Sequence, residues 1–497
     1  MRNRNVRAVV FTAALLLSNK GSAQAEFSAN ALIGYLTGIP RLADFSGDGY
    51  KHEHPAGLAD EYKPFIETTG IRHEVVRSLN GEKKNVVHGM TSLGFKQPLL
   101  SNRAGVYLSY ADNQSSVEWP FSKDRLIVDE SYGSGRICLS AFTSARKTLQ
   151  AGITVGRQVR GGGDEYLQII EVSGRIPTGV CGSVRYYSMP YEWGIGINYD
   201  NISKMLPSRF RYSGFESNIS WSVAKNTCFT LSAGKRMIDT PKTFRGMPGK
   251  HAQVWDGNGD NWKVSVRRNV TRSFSMDVSY GKDAYSQEMD LWYNRSQYGR
   301  GILEGDTYSF EVKAKIGKAP RYIPDILYNH ISADLALSRG IVDSWPFTPK
   351  QIEIIGDKTW TFSGTGRIAS DSGTFLYEIT PQSGAALSYV RVYFDYRLRI
   401  TTRDHLSTNP MDMIFGRKRV ETDLTRYYDF ISVMYRKEFN LSFFPIAVGI
   451  QQLIPVRHAE KKIPGKAPVP PSFPKVRFAR PKRFGGLSAW IRVKYYI

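Results

Sequence analysis

Long apolar runs are missing. No stretch approaches the ~18 to 20 uninterrupted apolar residues that a helix needs to cross a bilayer, and a mean hydropathy of −0.34 is too polar for a bundle of membrane helices. Cysteine is nearly absent: Cys138, Cys181 and Cys228 are too few and too scattered for a disulfide framework, and no two have metal-ligand spacing. They read as small packed residues. Acidic residues are in deficit, 45 against 67 Lys and Arg, and the resulting +22 excludes an acidic disordered chain or an ordinary neutral cytosolic enzyme. What the chain does hold is 12% aromatics and 45 glycines, a composition suited to many strands and turns. A large sandwich, a propeller or a transmembrane barrel fits it.

Arg2, Arg4 and Arg7 precede an apolar run from Val9 to Leu17, and Ala23-Gln24-Ala25 supplies a small-residue cleavage pattern. Residues 1–25 are therefore expected to be a secretory signal peptide. An exported chain without spanning helices is either soluble or a membrane barrel.

Alternation decides between them. Tyr308, Phe310, Val312, Ala314 and Ile316 are apolar, while Ser309, Glu311, Lys313 and Lys315 between them are polar. On a strand this puts one set on each face. From Val390 to Ile400 the apolar set Val390, Val392, Phe394, Tyr396, Leu398 and Ile400 opposes Arg391, Tyr393, Asp395, Arg397 and Arg399. The pattern recurs at Trp262, Val264 and Val266 against Lys263, Ser265 and Arg267, and again from Phe274 to Tyr280, with further copies near Phe27, Ala104, Leu149, Phe215 and Phe229. The segment 485–497 sets Leu487, Ala489, Ile491, Val493, Tyr495 and Ile497 against Ser488, Trp490, Arg492, Lys494 and Tyr496. It is expected to be the closing strand of a barrel, read by the barrel-assembly machinery, although Ile497 stands where such strands usually end in Phe.

The expected fold is all-β: a large antiparallel transmembrane β-barrel of about 18 to 22 strands in the bacterial outer membrane, with a small insert. Residues 26–319 form its first part and 385–497 its second. Residues 320–384, punctuated by Pro346, Pro349 and Pro381, are expected to be a small periplasmic insert. Leu36 to Lys63 reads as a loop or plug. Pro455 to Phe484, with its prolines among Lys461, Lys462, Lys466, Lys475 and Arg477, reads as an extended basic loop at the cell surface, facing lipopolysaccharide phosphates or a secreted polyanion, with a solvated loop kept basic for solubility or lipid contact as the alternative.

Few motifs carry chemistry. His330 and Ser332 share a strand face at a spacing known from outer-membrane phospholipases, but no oxyanion donor or orienting third residue accompanies them. His52-Glu53-His54 is only part of a metal site. Asp256 to Asp260 resembles the opening of a calcium loop, yet Asn261 and Arg267 replace the Gly and Glu such a loop requires, so it reads as a hairpin turn. Gly161-Gly162-Gly163 precedes strand rather than helix and is no phosphate cradle. Nucleic acid is not an expected partner of an exported chain, and neither a cofactor nor enzymatic activity is expected. What remains is a field: Lys263, Arg267, Lys313, Lys315, Arg391, Arg397, Arg399, Arg492 and Lys494 all occupy the polar parity of their strands. If that parity faces the lumen, the pore concentrates anions, either a solute or an acidic polysaccharide. Pairing with Asp277, Glu311 and Asp395 is the structural alternative.

Several stretches resemble the YjbH-like family of outer-membrane proteins associated with exopolysaccharide biosynthesis and capsule. They are Phe65 to Arg72, Gly156-Arg157 through Glu165-Tyr166, Gly305-Asp306-Thr307 with Lys313 and Pro320-Arg321-Tyr322-Ile323, Ile352 to Phe375, and Arg417 through Arg426-Tyr427. They keep their order along the chain, between residues 65 and 427. The resemblance implies export or surface assembly of an acidic exopolysaccharide alongside periplasmic export proteins, with no catalytic residues to carry over. From the residues alone, an anion-selective diffusion porin is the alternative and an outer-membrane hydrolase the third reading.

Overall fold

In the computed structural model the described residues are 54–60 and 63–497, apart from 80–81, 101–102, 123–125, 146–147, 161–165, 177–178, 200–201, 241–250, 272, 294–295, 317–323, 344–357, 405–417, 442–443 and 463–483. The expected signal peptide, the Gly161 run, His52 with Glu53 and the centre of the basic loop lie outside them.

Eighteen antiparallel strands follow one another around a single wall. They are β1 (Phe65–Leu79), β2 (Glu82–Leu99), β3 (Ala104–Ser122), β4 (Leu126–Ala145), β5 (Leu149–Arg160), β6 (Tyr166–Arg175), β7 (Cys181–Tyr199), β8 (Ile202–Ala224) and β9 (Thr227–Asp239), then β10 (His251–Asn269), β11 (Phe274–Tyr293), β12 (Ser296–Ile316), β13 (Asp325–Asp343), β14 (Lys358–Thr380), β15 (Ser383–Asp404), β16 (Lys418–Leu441), β17 (Phe444–Lys462) and β18 (Phe484–Tyr496). The expected closing strand is confirmed: β18 pairs with β1 from Phe65↔Tyr496 to Arg77↔Phe484. Closure leaves no open edge, which is what a sheet in lipid requires.

The rim that holds Phe65 and Tyr496 carries only short links, whereas the longest ones, 240–250, 344–357, 405–417 and 463–483, leave from the opposite rim. Short turns mark the periplasmic end of such barrels and long loops the outer end. The basic segment between β17 and β18 therefore departs from the outer rim.

Two expectations require correction. The described part of residues 320–384 is not an insert: β13 and β14 pair with each other from Asp325↔Leu376 to Asp343↔Thr359 and with their neighbours β12 and β15, so both are wall. Asp256 to Asp260 is not a hairpin turn either. It lies inside β10, opposite Glu288 to Ala284 of β11, and β10 runs on to Asn269 before the chain passes to β11.

The two shortest of these neighbours, β5 and β6, form a low hairpin. Above it, β4 pairs directly with β7, from Leu126↔Tyr199 to Tyr132↔Trp193. At the periplasmic end the segment before β1 turns into the barrel: Ala56–Asp60 is a 3-10 turn whose Leu58 and Ala59 pack with Phe65, Tyr107 and Phe142. Of the stretch Leu36 to Lys63, read as a loop or plug, the described part thus packs against the inner wall.

Candidate functional site

Each face of the wall is identified by what it shows to its surroundings. Leu93, Leu108, Leu139, Ile153, Ile170, Val184 and Phe215 on the early strands are exposed, as are Val264, Tyr280, Ile326, Phe375, Leu387, Val433, Ile450 and Ile491 on the later ones. The register sets Met276, Ala314, Ile326, Phe375, Leu387 and Val433 side by side in one continuous row of this face. On the opposite face, hydroxyls are buried and bonded to each other, as in Ser140 with Thr154 at 2.7 Å and Thr374 with Ser388 at 2.8 Å. The apolar face is the lipid belt and the hydroxyl face is the inner wall.

Barrel strands tilt by about 35 to 45°, so a row of opposed residues crosses the membrane obliquely. The row Val264, Tyr280, Phe310, His330, Asp371, Arg391, Asp429 and Arg457 starts apolar on β10 and ends charged on β17. It leaves the lipid on the way. Above the tyrosines Tyr280, Tyr328 and Tyr389 the outer surface is polar and carries ion pairs: Lys282 with Asp306 at 2.9 Å, His330 with Asp371 at 2.8 Å and Arg391 with Asp429 at 2.9 Å. An open depression of about 910 Å³ over Ala284, Gly305 and Ala336 lies on this outer surface, bordered by Asp306, Asp334 and Arg367.

This geometry divides the nine expected lumen cations. Lys263, Arg267, Lys313, Lys315, Arg492 and Lys494 lie on the inner face. Arg391, Arg397 and Arg399 do not: they share a face with Leu387 and Tyr389, while Val390 and Val392 point inward and are buried. The expectation fails for these three because β15 runs well beyond the lipid, where water lies outside and the polarity of the two faces reverses.

The inner cations form two groups. Near the periplasmic rim of β10 to β12, Arg267 donates from Nε at 3.0 Å and from Nη2 at 2.8 Å to the same Asp277 oxygen, Oδ2, and Lys313 stands opposite Asp277 on the next strand. Lys263 and Lys315 complete the patch. Its carboxylates are Asp277, Glu311 and Asp325, and Asp325 already accepts the Ile316 N–H at 2.7 Å. The second group is aromatic: Lys494 Nζ lies 4.0 Å from the Phe65 ring centroid and 5.2 Å from that of Tyr496, stabilised as cations over π faces are.

Sequence reasoning missed the residues that hold the plug. Lys96 is fully buried, donates to the Leu58 carbonyl at 2.5 Å and sits 4.8 Å from the Phe142 centroid. Glu171 accepts the Ala56 N–H at 3.1 Å and lies 3.4 Å from His54 Nδ1. Arg185 reaches His54 Nε2 at 3.2 Å and Glu216 at 2.6 Å. Glu171, Arg185 and Glu216 stand in one register row of the inner wall, with Arg236 pairing to Asp283 further round. Their polar parity was the available signal; their contact with residues 54–60 had none in the sequence.

His330 and Ser332 lie on the outer face and are not joined. The imidazole Nδ1 is at Asp371, and the Ser332 hydroxyl accepts from Arg367 Nε at 3.2 Å. Among the described residues, no group of three or more His, Cys, Asp or Glu side chains could hold a metal. His54 is engaged by the inner wall instead.

A closed wall of an even number of strands, belted with apolar side chains outside and lined with hydroxyls and charges inside, defines a bacterial outer-membrane β-barrel protein. No protein-family model matches the chain, and no curated protein matches it in sequence. Among solved structures it is similar to OccAB2 of Acinetobacter baumannii, at 8% identity over 87% of this chain and 98% of that one, with a TM-score of 0.42. It is also similar to OccK2 (OpdF) of Pseudomonas aeruginosa, at 8% identity, the same coverage and a TM-score of 0.38. A third is OpdK of the same organism, solved with vanillate, at 9% identity, the same coverage and a TM-score of 0.37.

Proposed function

We propose that the protein is an outer-membrane channel for small anionic solutes, narrowed at its periplasmic end by residues 54–60. The observation that carries this reading is the inner-wall patch of Lys263, Arg267, Lys313 and Lys315, whose four cations exceed the neighbouring Asp277, Glu311 and Asp325. Fixed positive charge on a low-dielectric wall raises the local anion concentration and repels cations. Arg267 is two-thirds exposed despite its pairing with Asp277, so its guanidinium is within reach of a passing carboxylate or phosphate. Reversal potentials in planar bilayers under a salt gradient test it: the purified protein is expected to favour chloride over potassium, and a cation preference would overturn the reading.

A second reading is export or surface assembly of an acidic exopolysaccharide, with periplasmic export proteins as partners. It draws support from inner-wall side chains that are covered rather than open to a passage: Ile331, Leu335, Leu337, Val390 and Val392 are all buried. The same recording separates the two, since an export barrel is expected to stay closed to ions.

A further inference from the structure

We propose that the depression on the outer wall of β10 to β15 binds uncharged sugar residues, supplied by the core oligosaccharide of lipopolysaccharide. The register builds it from two oblique rows of outward-facing residues. The lower row carries Ala284, Asp306, Asp334, Arg367 and Asp395, and the upper one Ser286, Glu304, Ala336, Thr365 and Arg397. Ala284 and Ala336 keep the floor low while longer side chains stand around them, and the space enclosed is about 910 Å³. That is within the range of clefts that hold small ligands.

Height on the wall fixes what adjoins this depression. Tyr280, Tyr328 and Tyr389 stand at the upper edge of the lipid belt, where aromatic residues flank such barrels. The two rows lie four and six residues beyond Tyr280 on β11, and six and eight beyond Tyr328 on β13. At ~3.3 Å per residue along a tilted strand, the depression begins roughly 10 Å outside the lipid and ends roughly 20 Å outside it. In the outer leaflet that layer is occupied by the sugars of lipopolysaccharide, above its lipid A phosphates.

The lining suits hydroxyl groups, each of which both donates and accepts. Arg367 Nε lies 3.8 Å from Asp334 Oδ1, and each side chain is 58% exposed, so a charged donor and a charged acceptor stand together within reach of a ligand. The acceptors on either side are already positioned. Asp306 is held by Lys282 at 2.9 Å, and Asp395 accepts from Tyr393 and Thr425, both at 3.2 Å. Side chains fixed beforehand lose less freedom on binding. Sign then selects among glycans. Asp260, Glu304, Asp306, Asp334 and Asp395 outnumber Arg367, Arg397 and Lys282, so phosphates and uronates are repelled and neutral sugars are not. The site is therefore opposite in character to the cationic inner patch and stands whichever solute crosses the barrel.

The test is surface plasmon resonance of the full detergent-solubilised protein in EDTA. The probe is dephosphorylated core oligosaccharide, cleaved from the lipid A of the producing bacterium's own lipopolysaccharide. Saturable binding is expected. Ala336→Trp fills the floor and Arg367→Gln removes the charged donor; each should weaken binding about tenfold, as the loss of one charge-assisted hydrogen bond does. An oligogalacturonate should bind more weakly than the core oligosaccharide. Absence of saturable binding, binding that returns only with Mg²⁺ or with the phosphates left on, affinity unchanged in either variant, or an oligogalacturonate that binds as tightly would each overturn the site. Heat-modifiable mobility on gels identifies the variants as folded.

Discussion

Lys96 carries a charge into a place from which water is excluded, and its neighbours show how that is tolerated. The ammonium has the Leu58 carbonyl as acceptor and two aromatic faces, Phe142 and Phe65, as a substitute for hydration. Lys96→Met would keep the stem and remove the donor, leaving a buried carbonyl unsatisfied at a cost of about 1 to 3 kcal/mol. The expected result is faster proteolytic cleavage within residues 54–60 while the barrel keeps its folded mobility on unheated gels. Glycine works at the same scale by absence. Tyr285 lies across Gly305 and Tyr107 across Gly94 on the adjacent strand, so that a Cβ at either glycine would overlap the ring. Large side chains can thus lie flat along the inner wall. Gly305→Val should destabilise the barrel by about 1 to 3 kcal/mol, read as a lower urea midpoint, and Tyr285→Ala in the same chain should restore part of it.

Strand β15 shows what alternation encodes and what it leaves open. The period of two from Val390 to Ile400 established a strand, and its Arg-bearing face was legible as one face. Which medium that face meets was not, because the answer depends on depth: within the lipid the apolar set points out, and above it the polar set does. Leu387 and Tyr389 mark the change, since they continue outward along the same parity as Arg391. Hence Arg391→Glu with Arg397→Glu is expected to leave ion selectivity unchanged, whereas Lys313→Glu with Lys315→Glu should move the reversal potential toward cation preference. Equal shifts from both pairs would refute the assignment of faces. Strand β14 was illegible for a different reason. Gly364 to Gly373 mixes small and polar residues on both faces, because its outer side meets water at Arg367 and Asp371 while its inner side carries buried hydroxyls at Ser370 and Ser372. Neither parity is then consistently apolar. The β18 seam, by contrast, lies at lipid depth over its apolar face and could be read directly.

At the scale of the whole molecule, closure and the belt make one expectation. The purified chain should require detergent, and removing 484–497 would expose the edges of β1 and β17 together. Such a truncation should yield aggregated protein without a heat-modifiable folded form on gels; a soluble, folded product would contradict the barrel. The plug could be anticipated only as a break in the strand pattern between Leu36 and Lys63. Its docking depends on Glu171, Lys96 and Arg185, which are far away in the chain and meet it only once the wall is complete.

The low β5–β6 hairpin bears on permeation. Where β4 and β7 join above it the circumference omits β5 and β6, and β8 likewise meets β10 above the end of β9. Since the width of a barrel grows roughly in proportion to its strand number, the wall itself draws in toward the cell exterior. A solute arriving from outside therefore enters through the slimmer part of the wall and meets residues 54–60 and the cationic patch together at the far end, so that bulk and charge are judged at the same place.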